Sequence, residues 1–133
     1  MKAIFKKTGK GNTKFKMDRR KKLGKRGEEI AVHYLEKNGY QIIERNFRCR
    51  RGEIDIIAWG EDEIVFVEVK TRTSKICGNP AEAVTRQKKK HLYLTAEYYM
   101  TLRKIEEYPV RMDVIEILWE HHQYTIHHIR QVY

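Results

Sequence analysis

The run Val65-Phe66-Val67-Glu68-Val69-Lys70 places an acid and a lysine inside an otherwise apolar stretch, and Gly52-Glu53-Ile54-Asp55-Ile56-Ile57-Ala58 just before it carries two more acids. Charge on a core-like strand is costly unless it is paired or used. Strand alternation gives Glu68 and Lys70 the face of Ile64 and Phe66, with Val65, Val67 and Val69 on the other. Two carboxylates and a lysine so arranged suit phosphodiester hydrolysis, which must neutralise charge on the phosphoryl oxygens and activate a water. Mg²⁺ or Mn²⁺ serves both needs as Lewis acid and template. Mg²⁺ takes hard oxygen ligands and keeps several waters, so one or two carboxylates suffice. Asp55 and Glu68 are the expected metal ligands, with the Val69 carbonyl as a third. Lys70 is expected to orient or help deprotonate the water, or to stabilise charge developing on phosphate.

The elements that must position these groups are legible in turn. If Glu61 and Asp62 form a two-residue hairpin loop, Gly60 faces Glu63 and Asp55 falls directly opposite Glu68, with Cβ atoms roughly 4.5–5.5 Å apart. The same register sets Glu53 opposite Lys70. Facing like charges destabilise a sheet, an objection that a cation between them removes. A slip of one residue would turn Asp55 to the other face. Before the hairpin, residues 24–38 read as a helix closed by Asn38-Gly39, with Ala31, Val32 and Leu35 as its apolar stripe. Glu28 shares that inward face and is a candidate catalytic and metal-binding residue. As a helix-start acid it also suits the helix dipole.

Residues 40–48 read as a strand, followed by a basic turn at Arg48, Arg50 and Arg51, and strands at 52–60 and 64–71. After a loop, Asn79, Pro80 and Glu82 fit the start of a helix running to Leu102. Its face carries Val84, Lys88, Leu92, Thr95, Ala96 and Tyr99. Lys88 either contacts phosphate or lays its stem over the core. Arg72 and Lys75 are expected substrate contacts. Residues 110–119 and 124–129 read as a closing hairpin through His121 and His122, whose adjacent histidines suit a surface turn better than a zinc motif. The order is α-β-β-β-α-β-β.

With 133 residues, the chain suits one domain. It carries 28 Lys and Arg against 18 Asp and Glu, a net charge of +10. Residues 1–22 hold ten of those bases and one acid, leaving 18 bases and 17 acids elsewhere. The basicity therefore belongs to a tail, residues 1–22, expected to be flexible, ahead of a single domain at 23–133. Arg19, Arg20, Lys21 and Lys22 are its expected nucleic-acid contacts, adding salt-dependent affinity; a merely solubilising tail is the alternative. No apolar run approaches the roughly 18–20 residues that span a bilayer, so no membrane partner is expected. Cys49 and Cys77 lack metal-type spacing, and reduced thiols in the cytoplasm are the expectation.

Asp55 followed by Glu68-Val69-Lys70 resembles the PD-(D/E)xK signature of restriction-endonuclease-like nucleases. Gly27-Glu28, Gly52-Glu53-Ile54-Asp55, Val65–Arg72 and Arg111-Met112-Asp113-Val114, in that order, resemble the YraN-like family of small bacterial proteins, which is similar in layout to Holliday-junction resolvases. The resemblance covers residues 24–130. It implies an α/β fold with an αβββαβ core, a mixed sheet flanked by helices, and the metal and catalytic roles above for Asp55, Glu68 and Lys70. Glu28 would match the first-helix glutamate of resolvase-like members. Ile54 stands where a strict motif has proline, and Gln87 only loosely matches the glutamine of exonuclease-like relatives. The expectation is a Mg²⁺- or Mn²⁺-dependent nuclease acting on DNA, with branched DNA suggested by the family analogy alone. Symmetric junction cutting would require a homodimer. The alternative is a non-catalytic nucleic-acid-binding or accessory protein that keeps the fold.

Overall fold

The computed structural model describes residues 15–73 and 86–132. Helix α1 spans Phe15–Lys37 and α2 spans Arg86–Arg103; the strands are β1 Gln41–Cys49, β2 Gly52–Gly60, β3 Glu63–Arg72, β4 Val110–Glu120 and β5 Gln123–Ile129. The order α-β-β-β-α-β-β is the expected one, closing hairpin included. The domain boundary expected after residue 22 falls inside α1, which begins at Phe15. Lys and Arg are good helix formers, so a basic run without Pro continues the helix. Residues 79–85, where the second helix was expected to start, lie outside the described residues.

The five strands form one sheet in the order β1-β2-β3-β4-β5. β3 and β4 run parallel, while the other neighbours are antiparallel. Because a parallel pair needs a crossover, α2 lies between β3 and β4 in the chain. Alternation along the strands divides the core into two layers. Val65, Val67, Ile56 and Ala58 pack with Ala31, Val32 and Leu35 of α1. Ile57, Ile64 and Phe66 pack with Leu92, Ala96, Tyr99 and Met100 of α2. The hairpin register is the expected one: Gly60 pairs with Glu63 and the ladder continues to Ile56 with Val67. Glu61 and Asp62 form the two-residue turn with φ of 54° and 63°, the geometry that matches strand twist.

At the turn end of the sheet a buried polar network ties four strands and α1 together. Arg111 binds Asp113 through Nε at 2.9 Å and Nη2 at 3.0 Å, and donates to Tyr40 Oη at 2.5 Å. His128 Nε2 lies 2.7 Å from Asp113, and its Nδ1 lies 3.0 Å from Tyr34 Oη. Glu61 and Glu63 complete the cage around Arg111. Burial alone would raise the Asp113 pKa, but bonds from His128, Arg111 and the Gln131 amide hold it below the ordinary carboxylate value.

The helix layer that carries Glu28 sits close to the sheet because residue 27 is glycine. A Cβ there would meet Thr71 Oγ1 at 2.0 Å and Thr71 Cβ at 3.2 Å. Gly27→Ala should therefore push α1 off β3 and cost about 1–3 kcal/mol, read as a lowered denaturation midpoint. Adding Thr71→Ala should recover some of that loss; no recovery would refute the close-approach account.

Candidate active site

β2 and β3 diverge a single position short of the expected facing acids. Their ladder ends at Ile56–Val67, and the Val69 N–H is instead donated to Asp55 Oδ2 at 2.8 Å. The divergence has a local cause. Asn46 on β1 has φ of 53°, and the β1–β2 register puts it level with Asp55, between the pairs Arg45–Ile56 and Phe47–Ile54. Alternation breaks there: Ile56 packs with the α1 layer, whereas Ile54 and Phe47 pack with the α2 layer. An asparagine in left-handed backbone is the kind of residue that makes such a break. Asp55 is thereby carried into the fork between the strands.

The fork opens into a cleft of about 660 Å³, whose lining includes Glu28, Glu53, Asp55, Glu68, Lys70 and Arg72. Glu28 enters from α1, the next two from β2 and the last three from β3. Asp55 is the most perturbed acid of this group. Burial pushes its pKa from 3.8 up to about 7; the Val69 N–H works against that, while the charges of Glu68, Glu28 and Glu53 add to it. Glu28 is also held above the ordinary value by burial, opposed by Arg45 and by a hydrogen bond from Asn46.

Lys70 Nζ lies 3.1 Å from Glu68 Oε2. This replaces the expected pairing of Lys70 with Glu53, which bonds Arg48 at 2.9 Å. Burial opposes charge on Lys70, but contacts with Lys88, Glu68 and Asp55 hold its pKa above the ordinary lysine value. Lys88 reaches in from α2, and the bond with Lys70 lowers its own pKa. It lines a second, smaller cleft with Asp55, Glu68 and His91. Arg72 Nε lies 2.9 Å from Glu116 Oε2 but is not aligned for a hydrogen bond, so charge rather than geometry joins that pair.

The sequence-selected residues Glu28, Asp55, Glu68, Val69, Lys70 and Arg72 thus share one cleft, and Lys88 lines the adjoining smaller one. Lys21 and Lys22 are exposed on α1. Arg19 and Arg20 fall on the same helix, although their side chains lie outside the described residues, as does Lys75. Asn46, Glu116 and His91 were missed. Asparagine inside an otherwise strand-like run was the available signal for the first; for the other two, partners distant in sequence left none.

The donor set suits a hard divalent cation. Asp55 and Glu68 offer carboxylate oxygens in a place where negative charge accumulates, and two carboxylates meet Mg²⁺ coordination needs when waters fill the rest. Among the described residues, no three His, Cys, Asp or Glu side chains stand together as a metal-holding group. Glu28 therefore borders the cleft, engaged by Arg45 and Asn46, without completing a three-carboxylate set.

Fold and cleft define an α/β protein built on a mixed five-stranded sheet, with its polar cleft at the forked end of β2 and β3. The family model described as Uncharacterised protein family UPF0102 matches residues 27–117, and the chain belongs to that family. A UPF0102 protein of Clostridium acetobutylicum is 50% identical over 101 residues, covering 76% of this chain and 83% of that protein. One from Caldicellulosiruptor saccharolyticus is 50% identical over 98 residues, 74% of this chain and 83% of that protein. A solved structure of Pyrococcus furiosus SfsA in complex with Ca²⁺ matches with a TM-score of 0.39 and 17% identity, covering 84% of this chain and 63% of that one. No helix among the described residues is long and apolar enough to cross a membrane.

The raised Asp55 pKa has a stability consequence with a definite sign. The folded state holds this proton more tightly than the unfolded chain, so the group's contribution is complete below about pH 4 and is lost as pH rises towards 7. Asp55→Asn keeps an acceptor for the Val69 N–H and removes the buried charge. At pH 8 the variant should be more stable than the parent by roughly 2–4 kcal/mol, with the gap closing towards pH 4. Parallel stability curves for the two proteins across that range would contradict the assignment.

Proposed function

We propose that the protein is a metal-dependent nuclease that hydrolyses DNA phosphodiester bonds at the Asp55–Glu68 fork. The observation that carries this reading is Asp55 itself. Its carboxylate is oriented by the Val69 N–H, and burial, with the charges of Glu68, Glu28 and Glu53 adding to it, raises its pKa to about 7. A fold has little reason to retain that arrangement unless a cation or a reaction uses it.

In this reading Asp55 and Glu68 hold Mg²⁺ or Mn²⁺, which when bound supplies Lewis acidity at the phosphoryl oxygens. The Val69 amide fixes one Asp55 oxygen and leaves the other lone pairs for coordination. Lys70, keeping its proton beside Glu68, orients the attacking water or stabilises charge developing on the phosphate. Lys88 and Arg72 bring further positive charge to the phosphate. Glu28 tunes the cleft from α1 rather than joining the two-carboxylate set. Branched DNA as the preferred substrate, and the homodimer that symmetric junction cutting would need, belong to this proposal and rest on the family analogy.

Calorimetric titration with Mn²⁺ tests the site directly. Binding should disappear in Asp55→Asn and weaken about tenfold at pH 6 relative to pH 8, because the proton on Asp55 competes with the metal. Cleavage of junction, flap and linear DNA with Mn²⁺ should fall by a factor of roughly 10² or more in Lys70→Ala. Parent protein that binds DNA but neither binds Mn²⁺ nor cleaves would favour the non-catalytic alternative.

A further inference from the structure

The larger cleft and the smaller one of about 260 Å³ share Glu53, Asp55 and Glu68. The acidic pair therefore stands where two approaches meet, one from each face of the sheet. The larger approach opens beside Leu23 and Gly24 of α1. The smaller is walled by Lys88, His91 and Thr95 of α2 and closed below by Gly52. At Gly52, φ is 150°, and a Cβ would come within 3.0 Å of Thr95 Oγ1. This contact seats the β1–β2 turn against α2. Arg50 and Arg51, both exposed, directly precede Gly52 and extend the positive charge of Lys88 outward from the smaller cleft.

We propose that the two clefts receive the nucleotides on opposite sides of the cut, so that the segment held in the site, whether from a free strand or from a branch point, is a single strand of DNA turning around the forked end of β2 and β3. The proposal rests on the reading of Asp55 and Glu68 as the cleaving pair. A backbone running from the α1 face to the α2 face must change direction within the site. A flexible single strand does this readily, whereas bending a duplex sharply costs on the order of 1–6 kcal/mol. The smaller cleft has the composition that single strands favour: cations that follow the phosphates, and the His91 ring as a stacking surface for one base. Arg50 and Arg51 hold the strand as it leaves.

Fluorescence anisotropy with the full chain in metal-free buffer tests this independently of hydrolysis. A labelled single strand should bind at least about tenfold tighter than a blunt duplex of the same sequence. Arg50→Ala/Arg51→Ala should weaken single-strand binding about tenfold and reduce the salt slope by about 1.4, at 0.7 for each phosphate contact. His91→Ala should weaken binding and His91→Phe should restore it, a rescue that a purely structural histidine would not give. Equal affinity for the duplex, or an unchanged slope in a double variant whose melting temperature matches the parent, overturns the proposal. If single-strand binding behaves as expected but Mn²⁺ supports no cleavage of any substrate, the nuclease reading fails while the strand path stands.

Discussion

The site depends on one backbone amide. Val69 N–H goes to the Asp55 carboxylate instead of to a strand partner, and from that single exchange follow the fork, the depth of the acid and the cleft on either side. A continuous ladder would have left Asp55 and Glu68 face to face across a closed pair of strands, with repulsion between them and no cleft. Opening the sheet by one position converts an unfavourable pair into a cavity. The Val69 N–H lost from pairing is still satisfied, by the Asp55 carboxylate, so that donor is not orphaned by the opening.

That opening is tolerable because the rest of the sheet is held elsewhere. β3 stands between an antiparallel neighbour and the parallel β4, and both its faces are covered by helices over the half that precedes Glu68. The apolar residues of that half are almost fully buried, from Ile64 to Val67. Charged residues begin where this cover ends, with Glu68, Lys70 and Arg72 on the α2 face. Their opposite signs alternate with those of Glu116 and Lys88, so the cleft wall is polar without a large net charge of its own. Excess positive charge lies instead on the helix preceding Glu28, where Lys21, Lys22 and Lys25 are exposed.

Much of this was legible in the order of residues alone. Alternation in Ile64–Lys70 gave the face of Glu68 and Lys70, and the Glu61-Asp62 turn gave the register of β2 against β3, because two-residue hairpins admit few geometries. The convergence of Glu28, Asp55, Glu68 and Lys70 on one cleft followed from those two facts and the stripe of Ala31, Val32 and Leu35. What escaped was the break in regularity. Asn46 interrupts alternation from a neighbouring strand, so the displacement of Asp55 is a tertiary effect that periodicity within β2 cannot encode. The partner of Lys70 was misassigned for the same reason: register extrapolated past the end of the ladder pointed to Glu53, whereas Glu68 lies two residues away on the same face. Glu116 and Arg72 meet only through the β3–β4 crossover, whose pairing depends on α2.

The cage of Arg111, Asp113, Tyr40, His128 and Tyr34 runs from the β2–β3 turn up to the level of Val67, the last rung before the fork. It fastens β3, β4, β5, α1 and the β2–β3 turn, with the bonds of Arg111 to Asp113 and Tyr40 buried and those of His128 partly so. The fork end has an interrupted ladder and solvent-facing charge, features that go with low local stability. The arrangement is that of a clamp fastened just behind its opening: an excursion of β2 against β3 beyond Val67 would widen the fork without disturbing the cage. Access to the cleft becomes a local fluctuation, decoupled from global unfolding.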